Sequence, residues 1–195
     1  MTGETNLRKI IDNPNWIVQK SHQAAYGLVP LLQDLGGSLR GIEVGVNLGT
    51  NSYMLLESCP NIDLLVGVDH YTAYQDWQGF IDQSIQDEVW AAFSQNMIIL
   101  GPRFKLIKEN SANAAKQLED DSYDFIFIDA DHSMKAVLQD LDNYWPKLKS
   151  GGIMAGHDSN LFGVNFAVTS WAKRKGIDPT EIEVASNNAW WWRKA

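Results

Sequence analysis

Five short apolar runs recur along the chain, separated by stretches with helical spacing. The strongest is Tyr123-Asp-Phe-Ile-Phe-Ile128, cut off by Asp129. The others are Gly41-Ile-Glu-Val-Gly-Val46, Leu64-Leu-Val-Gly-Val68, Phe104-Lys-Leu-Ile107 and Gly151-Gly-Ile-Met-Ala155. Runs so continuous read as strands buried on both faces. Strands that alternate with helices make a mostly parallel sheet covered on both sides, an α/β, Rossmann-like, doubly wound architecture in three layers. The spacing predicts helices over 15–35, 50–58, 76–96, 112–119, 134–144 and 163–175. Pro30 is expected to kink the first, Gly36 and Gly37 to stop it, and Ser111 to cap the fourth. Residues 181–185 and 189–193 flank Asn187-Asn188, a hairpin signal that adds an antiparallel last strand. No internal repeat or low-complexity linker breaks the 195 residues, so one domain is expected over 1–195. It would have a helical extension over 1–38 and a core over 39–195.

In open sheets of this kind, ligands sit beyond the carboxyl ends of the strands. That rule selects four groups, each closing or following a predicted strand. Glu43-Val-Gly-Val-Asn-Leu-Gly49 is a strand-to-helix turn in which Gly45 and Gly49 let a ligand approach the backbone. Asn47 stands where the dinucleotide fingerprint has glycine, but asparagine tolerates a left-handed backbone. Asp69 can take both hydroxyls of a ribose; its plain alternative is a strand-end or capping carboxylate. Asp129-Ala-Asp-His132 places two carboxylates and an imidazole after the most apolar strand, suited to a hard cation or a general base. A helix cap would account for Asp131 or Ser133, though not for all three. His157 and Asp158 follow the next strand, so Asp129 and Asp158 are a candidate Mg²⁺ or Ca²⁺ pair. Glu109-Asn-Ser111 offers polar groups to an adenine edge, or simply a helix cap. The tryptophan-rich segments at 77–90 and 190–192 read as core.

Charge narrows the partners. The chain has 24 acidic and 16 basic residues, and a net charge of −8 argues against a dedicated nucleic-acid binder. Residues 119–142 hold eight of the acids against the single base Lys135. Of those eight, only Asp129 and Asp131 are taken as chemical, the rest as solvated helix and turn residues. The lone Cys59 cannot form an internal disulfide, which fits a reducing compartment. Residues 1–9 lack an apolar signal core, and no stretch approaches a membrane span in length. The expectation is a cytoplasmic protein with no membrane or nucleic-acid partner; a homo-oligomer is compatible with the sequence.

The ordered motifs together resemble the class I S-adenosylmethionine-dependent methyltransferases. The carriers are Ile42 to Gly49, Gly67-Val-Asp69, Glu109-Asn-Ser111, Tyr123 to His132 and Leu148 to Asp158. The phrase from Asp129 to His132, followed by the Gly-Gly strand, is similar to the small O-methyltransferase branch that includes catechol, caffeoyl and sugar enzymes. The resemblance implies a seven-stranded sheet with an antiparallel last strand. It implies S-adenosylmethionine contacts from Glu43, Gly45, Asn47 and Gly49 to the methionine end, from Asp69 to the ribose and from Asn110 and Ser111 to the adenine. It also implies Asp129 at the cofactor pocket and Asp129 with Asp158 on a metal such as Mg²⁺ or Ca²⁺. Two positions depart from the catechol type: Ser159 replaces an asparagine, and His132 replaces a frequent lysine.

The function expected on this basis is methyl transfer to an oxygen of a small-molecule acceptor, with Asp131, His132 or His157 as the base. One alternative is a metal-dependent hydrolase using the Asp/His cluster. Another is a nicotinamide oxidoreductase, disfavoured by the missing third glycine.

Overall fold

The structure is a computed structural model that describes residues 24–76 and 79–195. A 3₁₀ turn at Ala24–Leu28 leads into helix α1, Val29–Leu35. Seven strands form the main sheet: β1 Leu39–Val44, β2 Ile62–Val68, β5 Phe104–Ile107, β6 Tyr123–Ile128, β7 Leu148–Gly156, β8 Glu183–Val184 and β9 Trp190–Arg193. Their order is β5-β2-β1-β6-β7-β9-β8. The first five run parallel, and β9 is antiparallel to both β7 and β8. Two further strands, β3 Tyr74–Asp76 and β4 Gly79–Ile81, form a separate hairpin. The remaining helices are α2 Thr50–Ser58, α3 Gln83–Leu100, α4 Ser111–Ala115, α5 Met134–Tyr144 and α6 Phe162–Arg174.

The continuous apolar runs have a direct structural cause. Successive strand residues point to opposite faces, and both faces carry a core. Phe125, Phe127, Ile153 and Ala155 pack with α1, α2 and α3 on one side. Ile126, Ile128 and Met154 pack with α4, α5 and α6 on the other. The result is the expected three-layer α/β sandwich, with the antiparallel last strand β9 lying between β7 and the short edge strand β8.

Several local expectations are corrected. Pro30 lies in the first turn of α1, where its missing N–H costs nothing, so it starts a helix and does not kink one. The part of that expected helix before Ala24 lies outside the described residues. The stretch read as a helix over 76–96 holds the β3–β4 hairpin first, and the helix begins only after Asp82, whose carboxylate accepts from Ile85 N–H at 3.1 Å. Asn110, not Ser111, caps α4, accepting from Asn113 N–H at 3.0 Å, and α4 ends at Ala115.

Of the segments expected to be core, Trp90 and Trp191 are partly buried against it and Trp77 lies outside the described residues. Trp171, Trp190 and Trp192 are buried. Trp171 meets Trp145 with ring centroids 5.1 Å apart and Trp192 at 6.0 Å. Its indole N–H is satisfied by the Asp142 carboxylate at 2.8 Å. Truncation there opens a cavity where α6 meets the sheet and also strips Asp142 of a donor. Trp171→Ala is therefore expected to lower the unfolding free energy by about 3–5 kcal/mol. Urea denaturation followed by circular dichroism measures this, and a loss under about 1 kcal/mol would contradict the packing described.

Candidate active site

The sheet's carboxyl ends are tied together one residue beyond each strand. Asp69 N–H donates to Ile107 O (3.3 Å), Gly45 N–H to Val68 O (2.8 Å), Asp129 N–H to Val44 O (2.8 Å) and His157 N–H to Ile128 O (3.1 Å). Four site residues thus inherit the register of the sheet. Gly45 is required for this. It has φ +92°, and a β-carbon there would lie 2.1 Å from the Asp129 carbonyl oxygen. The glycine admits a neighbouring strand end, where the sequence had suggested a ligand. Asn47 adopts φ +51°, the left-handed conformation expected of it.

Asp69 does more than close β2. One carboxylate oxygen accepts from Val46 N–H (3.0 Å) and Asn47 N–H (2.8 Å), and the other accepts from Tyr71 N–H (3.0 Å). The Tyr71 hydroxyl donates to Asn47 O at 2.8 Å. Asp69 and Tyr71 together hold the glycine turn in shape. Tyr71 is buried against Trp90 and Phe93, so its ring belongs to the core beneath the turn.

Glu43 is 1% exposed, and its carboxylate accepts from Asn51 Nδ2 at 3.0 Å and from the Ser52 hydroxyl. Burial pushes its pKa up to about 8, against the pull of those two donors. Its carboxylate thus fastens β1 to the first turn of α2. That helix begins beside the turn and, with its first-turn amides, suits an anionic group.

The acidic corner is made by β6 and β7. His132 Nε2 stands between Asp158 Oδ2 at 2.8 Å and Asp129 Oδ1 at 3.5 Å. Asp158 Oδ1 lies 3.3 Å from His157 Nδ1, and His157 Nε2 lies 2.7 Å from Asn187 O. The chain runs Asp129, His132, Asp158, His157, Asn187. Burial disfavours charge on His132, but hydrogen bonds to Asp129 and Asp158 outweigh it and lift its pKa to about 10. His157 is raised in the same way, burial being outweighed chiefly by Asp158. The two imidazoles overcome burial and hold the Asp158 carboxyl well below the usual range. Asp158 itself sits at φ +57°, a conformation that costs energy in a non-glycine residue and clusters at functional sites.

A cavity of about 930 Å³ spans these groups, from the Gly45–Leu48 turn past Asp69 and Asn110–Ser111 to Asp129, His132 and Asp158. Every residue named in the sequence as a site candidate except Gly49 lines it; Gly49, at φ +80°, precedes α2 and packs on Phe93. Asp131 lines the cavity too, with one oxygen accepting from Ser133 N–H at 2.7 Å, while the helix cap that was the plain alternative falls to Ser133, which accepts from Ala136 N–H at 3.3 Å. His157 has both ring nitrogens engaged, so it orients Asp158 and the β8–β9 turn.

One wall residue was missed. Asp140, read as a solvated helix acid, is 2% exposed and lines the cavity. Burial raises its pKa to about 6, against a hydrogen bond from Ser111. Its signal was its position among Val137, Leu141 and Tyr144, the buried stripe of α5.

A seven-stranded sheet with this strand order, and a large cavity at its carboxyl edge, is the fold of the class I S-adenosylmethionine-dependent methyltransferases. Residues 42–159 match the family described as "Methyltransferase domain", more than half of the chain, and the chain belongs to that family. It is 26% identical over 148 residues to the uncharacterized protein y4gI of Sinorhizobium fredii (strain NBRC 101917 / NGR234), an alignment that takes in 72% of this chain and 15% of that protein. Cofactor-bound Rv0187 from MTB is similar in structure, with a TM-score of 0.63 at 14% identity over 98% of this chain and 88% of that one. The O-methyltransferase NovP gives 0.57 at 16% identity, covering 98% and 79%. Precorrin-6y C5,15-methyltransferase from Geobacter metallireducens GS-15 gives 0.57 at 16%, covering 91% and 77%. At such identities the shared property is the fold.

Glu43 provides a test of the site's electrostatics. Between pH 4.5 and about 8 the folded protein retains a proton that the unfolded chain has released. The folded state then binds more protons, so stability falls as pH rises across that window. In Glu43→Gln the amide oxygen can accept from Asn51 and its NH₂ can donate to Ser52, with no proton to lose. The variant is expected to gain on the wild type from pH 5 to pH 8, by about 1–3 kcal/mol. Parallel stability curves would contradict the burial of a protonated carboxyl.

Proposed function

We propose that the chain transfers a methyl group from S-adenosylmethionine to an oxygen of a small-molecule acceptor, at the corner formed by Asp129, His132 and Asp158. The observation that carries this is the single continuous cavity of about 930 Å³, near the upper end for ligand pockets. It has room for a nucleoside–amino acid cofactor and an acceptor side by side. Its donors and acceptors suit that cofactor. The turn and the start of α2 offer backbone amides to a carboxylate, and Asn110 and Ser111 offer polar groups to a purine. Asp69 keeps one acceptor direction beyond its three amide partners, enough for a ribose hydroxyl.

S-adenosylmethionine supplies an electrophilic methyl on a sulfonium centre. The protein has to align the acceptor oxygen with it and remove the acceptor's proton. His132 is the group placed for the proton, since its Nε2 is held by two carboxylates facing the cavity. Only its neutral form can accept a proton. With a pKa near 10, the fraction in that form grows as pH rises from 7 towards 10. Asp158 fixes the ring through that same Nε2 and is itself held by His157.

A divalent ion at the same corner is the second reading. Asp129, His132 and Asp158 each offer one ligand atom, all within 4.8 Å of one another. An imidazole among the donors suits a transition ion better than the Mg²⁺ or Ca²⁺ expected from the sequence, which prefer oxygen ligands. Such an ion would lower the pKa of an acceptor hydroxyl.

Calorimetric titration should show S-adenosylmethionine binding to wild type and, within about threefold, to His132→Gln. On an accepted substrate, His132→Gln should lose kcat by about 10²-fold or more and lose the rise towards pH 10. Full activity after EDTA dialysis supports the histidine reading; activity restored only by added divalent metal supports the ion. Absence of cofactor binding at millimolar concentration would overturn the proposal.

A further inference from the structure

Helix α6 carries two sets of apolar residues. Val164, Ala167, Val168 and Trp171 belong to the core beneath it. Phe162 and Phe166 do not: they are 82% and 48% exposed, and their rings stack on each other with centroids 5.9 Å apart. At 3.6 residues per turn they fall on the face of α6 turned away from its core residues. Met134, the first residue of α5, is 44% exposed, and α6 begins against it. Gly163 shows how closely: a β-carbon there would lie 3.0 Å from the His132 carbonyl oxygen and 3.4 Å from the Met134 nitrogen. One exposed apolar residue needs no explanation. Three brought together form a patch that core packing does not account for.

The patch is continuous with the reacting corner. Met134 follows His132 by two residues in the chain. Phe162 follows Asp158 across a tight turn, in which Leu161 N–H donates to Asp158 O at 2.9 Å. His132 and Asp158 line the cavity, and the three apolar residues stand outside it. We infer that the acceptor is an amphiphile, with its hydroxyl-bearing head inside the cavity and an apolar tail that leaves it to lie on Phe162, Phe166 and Met134. This rests on the reacting corner proposed above. The patch fits a tail better than a second copy of the chain. It adjoins the place where the acceptor oxygen must sit, and it is three side chains wide, whereas a stable protein–protein interface takes roughly 20–30 residues a side.

Butyl, hexyl and octyl glucosides test this, because they share one uncharged hydroxylated head and differ only in tail length. They are titrated calorimetrically, below the concentrations at which they form micelles, into the S-adenosylhomocysteine complexes of wild type and Phe162→Ser/Phe166→Ser. Full burial of a methylene tightens binding about fourfold; a tail covered on one side should gain about twofold per methylene. Octyl glucoside is therefore expected to bind wild type about tenfold or more tighter than butyl glucoside. The double variant should bind S-adenosylhomocysteine within about twofold of wild type and keep less than about threefold of the chain-length gain. Phe162→Ser alone serves if the double variant loses S-adenosylhomocysteine, and its gain should be at least threefold smaller than that of wild type. A gain unchanged in the variants, or no gain with tail length in wild type, or no glucoside binding, would overturn the tail site and leave the proposed function standing. A wild-type dimer in sedimentation that the substitutions dissolve would also overturn it, giving the patch to a second copy. Wild type that does not bind S-adenosylhomocysteine would overturn both.

Discussion

Everything functional in this protein hangs on a row of backbone hydrogen bonds just past the sheet. Each strand's first following residue donates to the last residue of its neighbour: Asp69 to Ile107, Gly45 to Val68, Asp129 to Val44 and His157 to Ile128. Parallel strands buried on both faces are the stiffest part of an α/β domain, and the row extends that stiffness by one residue into the site. The close approach of Gly45 to the Asp129 carbonyl is where the row is tightest. A side chain at residue 45 would push β1 and β6 apart and displace the turn and the acidic corner together.

Two consequences follow for how the site is held. The glycine turn depends on Asp69, which takes three backbone amides, and on Tyr71, which takes a carbonyl. Turn geometry is thereby coupled to the aromatic cluster of Tyr71, Trp90 and Phe93 beneath it. The acidic corner is balanced internally. Asp158 lies between two imidazoles and His132 between two carboxylates, so charge that would be costly in a half-buried cleft is paired. The acidity concentrated in residues 119–142 is otherwise largely structural. Asp124 accepts from Arg40 N–H and pairs with Lys149, Asp120 pairs with Lys147, and Asp142 holds Trp171 and Arg174.

The strands and their polar ends were legible because a strand buried on both faces leaves an uninterrupted apolar run, and the residue that ends it has to be polar or small. Phe104–Ile107 and Tyr123–Ile128 match the expected bounds for that reason. The β3–β4 hairpin was hidden because its aromatic residues also fit the spacing of the helix that follows. Roles set by distant partners were not legible at all. Asp69 as acceptor for the turn, Glu43 sealed under Asn51 and Ser52, and His157 tied to Asn187 all depend on residues brought together by the fold. Asp140 was half legible: its place in the helical stripe implies burial, but only the cavity shows what it faces.

The central claim is that one cavity seats the cofactor along the strand ends, with its reacting centre at the Asp129–His132–Asp158 corner. A crystal structure of the protein with S-adenosylhomocysteine tests this most directly. The account predicts the homocysteine carboxylate at the Gly45–Gly49 turn and the start of α2, the sulfur facing His132, and the purine against Asn110 and Ser111. A nucleoside bound in the opposite sense, or outside this cavity, would contradict it.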